Sequence, residues 1–155
     1  GSSVILKKYK PSCIFCDGTK EITDGYVRKD FPGGFPGDTH NAFTAEGRTK
    51  AENAMFNWLS RLLHWRKGND VIIKGKQTQF IPWNGVYVMH HEYKGKHVLV
   101  ILNGKREAAQ FETKRYKECF DGPVQATDVT SKRKYTLDTA KNITLRPRQT
   151  LILEY

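Results

Sequence analysis

From about Asn69 onward the chain is cut into short runs of β-branched, aromatic and aliphatic residues by turn signals. That punctuation limits the fold more than any other feature of the sequence. Trp83-Asn84-Gly85, Tyr93-Lys94-Gly95-Lys96 and Asn103-Gly104 each favour a reversal. Between and after them the residue pattern predicts strands over 77–82, 86–92, 97–102, 108–112, 124–129, 134–137, 142–145 and 150–154. Runs of this length at such spacing indicate an antiparallel sandwich or barrel. The segment 98–102 is apolar throughout, which predicts a central strand covered on both faces.

One strong helix precedes the β region. Thr49-Lys50-Ala51-Glu52 has the capping-box pattern, a hydroxyl at the cap and a carboxylate three residues on. Ala51, Ala54, Met55, Trp58, Leu59, Leu62, Leu63 and Trp65 then recur at helical spacing. Arg66 and Lys67 suit the negative end of the helix dipole, and Gly68 is a natural stop. The stripe is wide, and its two tryptophans read as core rather than as a ligand platform.

Before the helix the chain is loop-rich. Residues 11–16 fit one short apolar strand. In 32–38, two prolines and three glycines exclude helix and regular strand. Asp38 suits a turn there, and Asp30 an ion pair with Arg28. Of the three cysteines, Cys13 and Cys16 have the spacing of half a zinc site. Only Cys119 and scattered histidines could complete one, and adjacent His90 and His91 point to opposite faces of a strand. Buried thiols are therefore the favoured reading, with no metal and no cofactor.

Hydrophobic residues are 38% and charged residues 27% of the 155, a globular balance. No apolar run approaches the roughly 20 residues of a membrane helix, so no membrane partner is expected. The net charge of +10 raises a nucleic-acid reading. Residues 1–68 carry 11 Lys/Arg against 7 Asp/Glu, and 69–155 carry 15 against 9, so the excess is spread evenly. Lys132-Arg133-Lys134 is the one dense run and fits a solvated turn; no nucleic-acid partner is expected.

Strand, glycine-rich aromatic loop, amphipathic helix and β domain follow one another as at the end of an α-amylase-type chain. There the last βα unit of a (β/α)8 barrel leads into an antiparallel C-terminal domain. Arg28-Lys29-Asp30-Phe31-Pro32-Gly33-Gly34-Phe35-Pro36-Gly37-Asp38 resembles the loop after the eighth barrel strand in neopullulanases and cyclomaltodextrinases. Asn41-Ala42-Phe43-Thr44, Arg48-Thr49 and the helix ending Leu62-Leu63-His64-Trp65-Arg66-Lys67 are similar to the same family. The resemblance runs over about residues 24–155, with Phe35 where family members often carry tryptophan.

The resemblance implies a mainly β fold. Residues 69–155 would form an amylase-type C-terminal antiparallel β-sandwich. Residues 1–68 would be the remnant of the last βα unit of the barrel, a loop-rich segment and one amphipathic helix. It implies the C-terminal portion of an α-glucan hydrolase, reaching α-glucan oligosaccharides through an intact parent enzyme. In that parent Arg28, Asp30, Phe31 and Phe35 would help wall the glucan site at the barrel rim. The family's catalytic carboxylates lie upstream of the matched segment, and Thr39-His40-Asn41 is not its Asn-His-Asp element. No catalytic residue is assigned, and the chain alone is expected to be inactive. The other reading is an accessory glucan-binding module, with Trp83 as the best sugar platform beside Tyr87, Tyr93 and Tyr116. The helix face would pack on the sandwich or pair with a second copy as a homodimer. The compartment, cytoplasm or periplasm, is left open.

Overall fold

A computed structural model describes residues 31–120 and 122–155. Two compact units, Gly1–Asn53 and Ala54–Tyr155, divide the chain. The Pro11-to-Cys16 strand, Cys13, Cys16, Arg28 and Asp30 lie outside the described residues.

Helix α1 spans Lys50–Lys67. Its start is the expected capping box. The Glu52 N–H donates to Thr49 Oγ1 at 3.3 Å, and the Thr49 N–H donates to Glu52 Oε2 at 2.8 Å. A second, five-residue helix, α2 (Asp70–Lys74), follows. Residues 69–75 were expected to open the β region, and the helix corrects that expectation. Asn69 Oδ1 accepts the Val71 and Ile72 N–H groups, so the side chain caps a turn that β-branched residues alone disfavour.

The strands are β1 (Lys76–Gln79), β2 (Val86–Tyr93), β3 (Lys96–Asn103), β4 (Ala109–Phe111), β5 (Val124–Asp128), β6 (Lys134–Leu137), β7 (Ile143–Leu145) and β8 (Thr150–Glu154). Six form an antiparallel sheet in the order β1-β2-β3-β8-β5-β6, and β4 pairs with β7. The predicted strand over 77–82 is cut short, because Ile81 is 90% exposed and Pro82 offers no N–H to the ladder. Thr113–Cys119, left without structure by the sequence pattern, is a 3-10 helix kinked at Tyr116 (φ −120°, ψ 29°) that buries Thr113, Tyr116 and Cys119.

Alternation along β3 and β8 explains the layers. Leu99, Ile101, Leu151 and Leu153 face the main core, with Phe111 and Leu145 from the two-stranded ribbon and Tyr116 from the 3-10 helix. Val98, Val100 and Ile152 face the other way, onto Val71 and Ile72 of α2 and onto Leu62 and Trp65 of α1. The central strand is thus covered on both sides, as its sequence predicted. Trp65 Nε1 and Asn69 Nδ2 both donate to Glu154 Oε1 at 2.8 Å, fastening the helical layer to the last strand.

The β2–β3 reversal has Lys94 at φ 52° and Gly95 at φ 73°, the geometry of a type I′ turn. Lysine is strained there, where asparagine is favoured. Lys94→Asn is expected to stabilise the chain by about 0.5 kcal/mol, read as a raised denaturant midpoint with an unchanged slope.

Candidate functional site

In the first unit the aromatic loop is built around Asp38. Its Oδ2 accepts the Gly33 N–H at 2.8 Å and the Phe35 N–H at 3.0 Å. Those bonds, Phe35 first, hold the carboxyl below the usual aspartate range. Asp38 is therefore a turn former, as its sequence context suggested. Gly33 has φ 107°, and a Cβ there would sit 2.4 Å from Asn41 Oδ1, so only glycine fits. The result is a loop that presents Phe31 and Phe35 to solvent, with Phe31 edge-on to Phe43 at 4.8 Å. Arg48 donates to the carbonyls of Ala42 and Phe43, and His40 Nε2 meets Glu52 Oε1 at 3.0 Å. Of the four expected rim residues, Phe31 and Phe35 are exposed in one ordered loop, and Arg28 and Asp30 fall outside the described residues.

In the second unit Trp83 is half exposed and held in place. Its Nε1 donates to Glu112 Oε1 at 3.1 Å, and the Arg115 guanidinium lies 4.1 Å from its ring centroid. Tyr116 is buried against Phe111 and Phe80, so it is removed from the candidate sugar platform. Among the described residues no aromatic ring pairs with Trp83. One face of that indole is already taken by a cation.

The histidines and Cys119 belong to the packing. His90 and His97 stack with ring centroids 5.2 Å apart and share a hydrogen bond of 3.1 Å, and Tyr155 stacks on His97. Burial pushes the Cys119 thiol up to about 12, which leaves it unreactive at neutral pH. No group of three metal-ligating side chains occurs among the described residues. Burial lowers the His90 pKa, helped by the neighbouring His97 and His91, and burial lowers that of His91, whose Nδ1 has no partner among the described residues. Both rings resist protonation in the fold, while the unfolded chain takes up protons below about pH 6.5. Stability is therefore complete above that pH and lost as the pH falls through the depressed folded values. Urea midpoints at pH 8 and pH 5 are expected to show the loss, and His91→Leu to reduce it.

Helix α1 carries two apolar arcs side by side, following its turn of about 100° per residue. Trp58, Leu62 and Trp65 lie on one; Leu62 and Trp65 pack on the sheet, while Trp58 at the outer end is 37% exposed. The expectation that both tryptophans are core thus holds for Trp65 only. Met55, Phe56, Leu59 and Leu63 lie on the second arc, and all four are exposed. No residue of the helix is fully buried. The sequence stripe was read as one packing face; the sheet covers only one side of it.

Residues 77–154, which hold every strand but the first residue of β1, match the family model of the cyclo-malto-dextrinase C-terminal domain. The chain belongs to that family. Solved structures of α-amylase-type enzymes share the fold of this cyclo-malto-dextrinase C-terminal domain. AmyP, solved with maltotriose, is 17% identical with a TM-score of 0.59 over 68% of this chain and 21% of its own. The maltogenic α-amylase AmyB from Thermotoga neapolitana is 18% identical with a TM-score of 0.55 over 67% and 26%. The trehalulose synthase MutB from Pseudomonas mesoacidophila is 23% identical with a TM-score of 0.51 over 74% and 19%. The chain spans about a fifth to a quarter of these proteins. The cyclo-malto-dextrinase C-terminal domain includes Trp83 and the His90–His97 stack, whereas the Phe31–Phe35 loop and α1 lie before it.

Proposed function

We propose that the chain is the non-catalytic C-terminal portion of an α-glucan hydrolase of the neopullulanase/cyclomaltodextrinase type. In this reading it stabilises the parent enzyme. The exposed arc of Met55, Leu59 and Leu63 carries the proposal. It is an apolar stripe directly ahead of a domain of this family, on a chain a fraction of the length of its structural relatives. Such a stripe fits the outside of a (β/α)8 barrel, whose helices form one ring. The loop over 28–38, with its likeness to the rim loop after the eighth strand, supports the particular enzyme type.

Retaining hydrolysis needs two carboxyl groups about 5–5.5 Å apart across the scissile bond. In the described loop the one aspartate, Asp38, is engaged by backbone N–H groups. Incubation with maltooligosaccharides, cyclodextrins and pullulan is expected to release no reducing sugar. Turnover by the purified chain would overthrow the proposal.

A further inference from the structure

Two adjoining clefts in the second unit meet at the exposed end of the inner arc of α1. The larger, of about 560 Å3, is lined by Trp58, Thr130, Arg146 and Arg148 among others. The smaller, of about 120 Å3, shares Trp58 and Thr130 and adds Arg61 and Lys132. Four cations line the two clefts and no carboxylate does. The ion pairs among the described residues, His40–Glu52 and Lys74–Asp70, involve none of them. The nearby Asp128 carboxylate is buried and taken up by Thr130, Ser131 and Ile152 donors. Among the described residues the positive charge is therefore not answered locally.

The cations stand on a fixed frame. Arg148 has φ 53°; its N–H donates to the Lys105 carbonyl at 3.0 Å and its guanidinium to the Gly104 carbonyl. The Arg146 N–H donates to Gln149 Oε1 at 2.7 Å, and its carbonyl accepts from the buried Asn103 side chain at 2.9 Å. A guanidinium fork matches a phosphate oxygen pair, and an exposed indole face receives the apolar face of a ring.

We propose that this cleft binds a hexose phosphate, free or as the phosphate-bearing end of an α-glucan chain. The sugar ring lies on Trp58 and the phosphate meets Arg146 and Arg148. The choice of a sugar ring rests on the α-glucan reading above; the anion site rests on the cleft alone. The test is calorimetric titration of the full chain with glucose 6-phosphate, maltotriose, inorganic phosphate and adenosine monophosphate. Glucose 6-phosphate is expected to bind more tightly than either inorganic phosphate or maltotriose. Its affinity should fall at least about tenfold in Arg146→Gln and in Trp58→Leu, with unchanged melting in the first variant to show that folding is intact. It should also weaken with added salt. Equal binding of inorganic phosphate, tighter binding of the nucleotide, or an unaffected Arg146→Gln variant would overturn the proposal. None of these outcomes bears on the proposed non-catalytic role, which the reducing-sugar assay tests separately.

Discussion

Alanine in place of Asp128 lowers the thermal midpoint of the chain by about 10–20 °C in a circular-dichroism melt. The carboxylate is 1% exposed and accepts four hydrogen bonds. Three come from the turn after β5, from Thr130 Oγ1 and from the N–H and Oγ of Ser131. The fourth comes from the Ile152 N–H of β8 at 3.0 Å. One side chain thus ties a turn to the neighbouring strand. Bonds to a charged acceptor contribute more than neutral ones, and truncation also leaves the Ile152 N–H buried without a partner, a loss of about 3 kcal/mol in all. Burial pulls the Asp128 pKa upward, but the bonds from Ser131, Ile152 and Thr130 outweigh it and hold the group below the usual aspartate range. Its stabilisation is therefore present above the ordinary value near about 4 and lost as pH falls below it. The gap between the native chain and Asp128→Asn is expected to narrow in acid. A melting point within about 2 °C of the native chain at neutral pH would refute the account.

The second large effect concerns the outer arc of α1. With Met55, Leu59 and Leu63 exposed together, the isolated chain is expected to pair with a second copy. Sedimentation velocity should show a concentration-dependent dimer in the range of tens of micromolar, roughly −6 kcal/mol of association. Leu59→Arg combined with Leu63→Arg should leave a monomer that melts no earlier, because neither side chain supports the sheet-facing arc. A native chain that stays monomeric at that concentration would show that another surface covers the arc.

The sequence made the hairpins and the helix legible because their signals are local. Asn84-Gly85 turns where its residue types demand, and at Lys94-Gly95 the glycine marks the reversal although the lysine is strained. The helix began at its capping box. The unbroken apolar run over 98–102 also showed that β3 is covered on both faces. What escaped was decided by partners far along the chain. Val71, Ile72 and Ile73 have strand propensity, yet one asparagine cap and a seat on the sheet made them helical. Tyr116 resembled a surface aromatic until Phe80 and Phe111 closed around it. The spacing of Thr113, Tyr116 and Cys119 at every third residue was the available signal for the 3-10 helix. In the candidate sites, the exposed Phe31 and Phe35 followed from a proline-glycine loop that cannot enter a core. The sharing of Trp58 between helix and cleft did not, because Arg146 and Arg148 reach it from about 90 residues on.

The position of β8 has a consequence for how the protein is made. The last strand in the sequence lies inside the sheet, between β3 and β5, and supplies Leu151 and Leu153 to the main core. During synthesis the neighbours β3 and β5 emerge from the ribosome earlier and must wait with an unpaired edge each. Only when Glu154 clears the exit tunnel can the sheet close. Synthesis halted before Thr150 would yield two half-sheets with sticky inner edges, a product that proteases recognise and chaperones hold. Closure of this sheet therefore reports that the ribosome has already passed β8, however much chain is still to come.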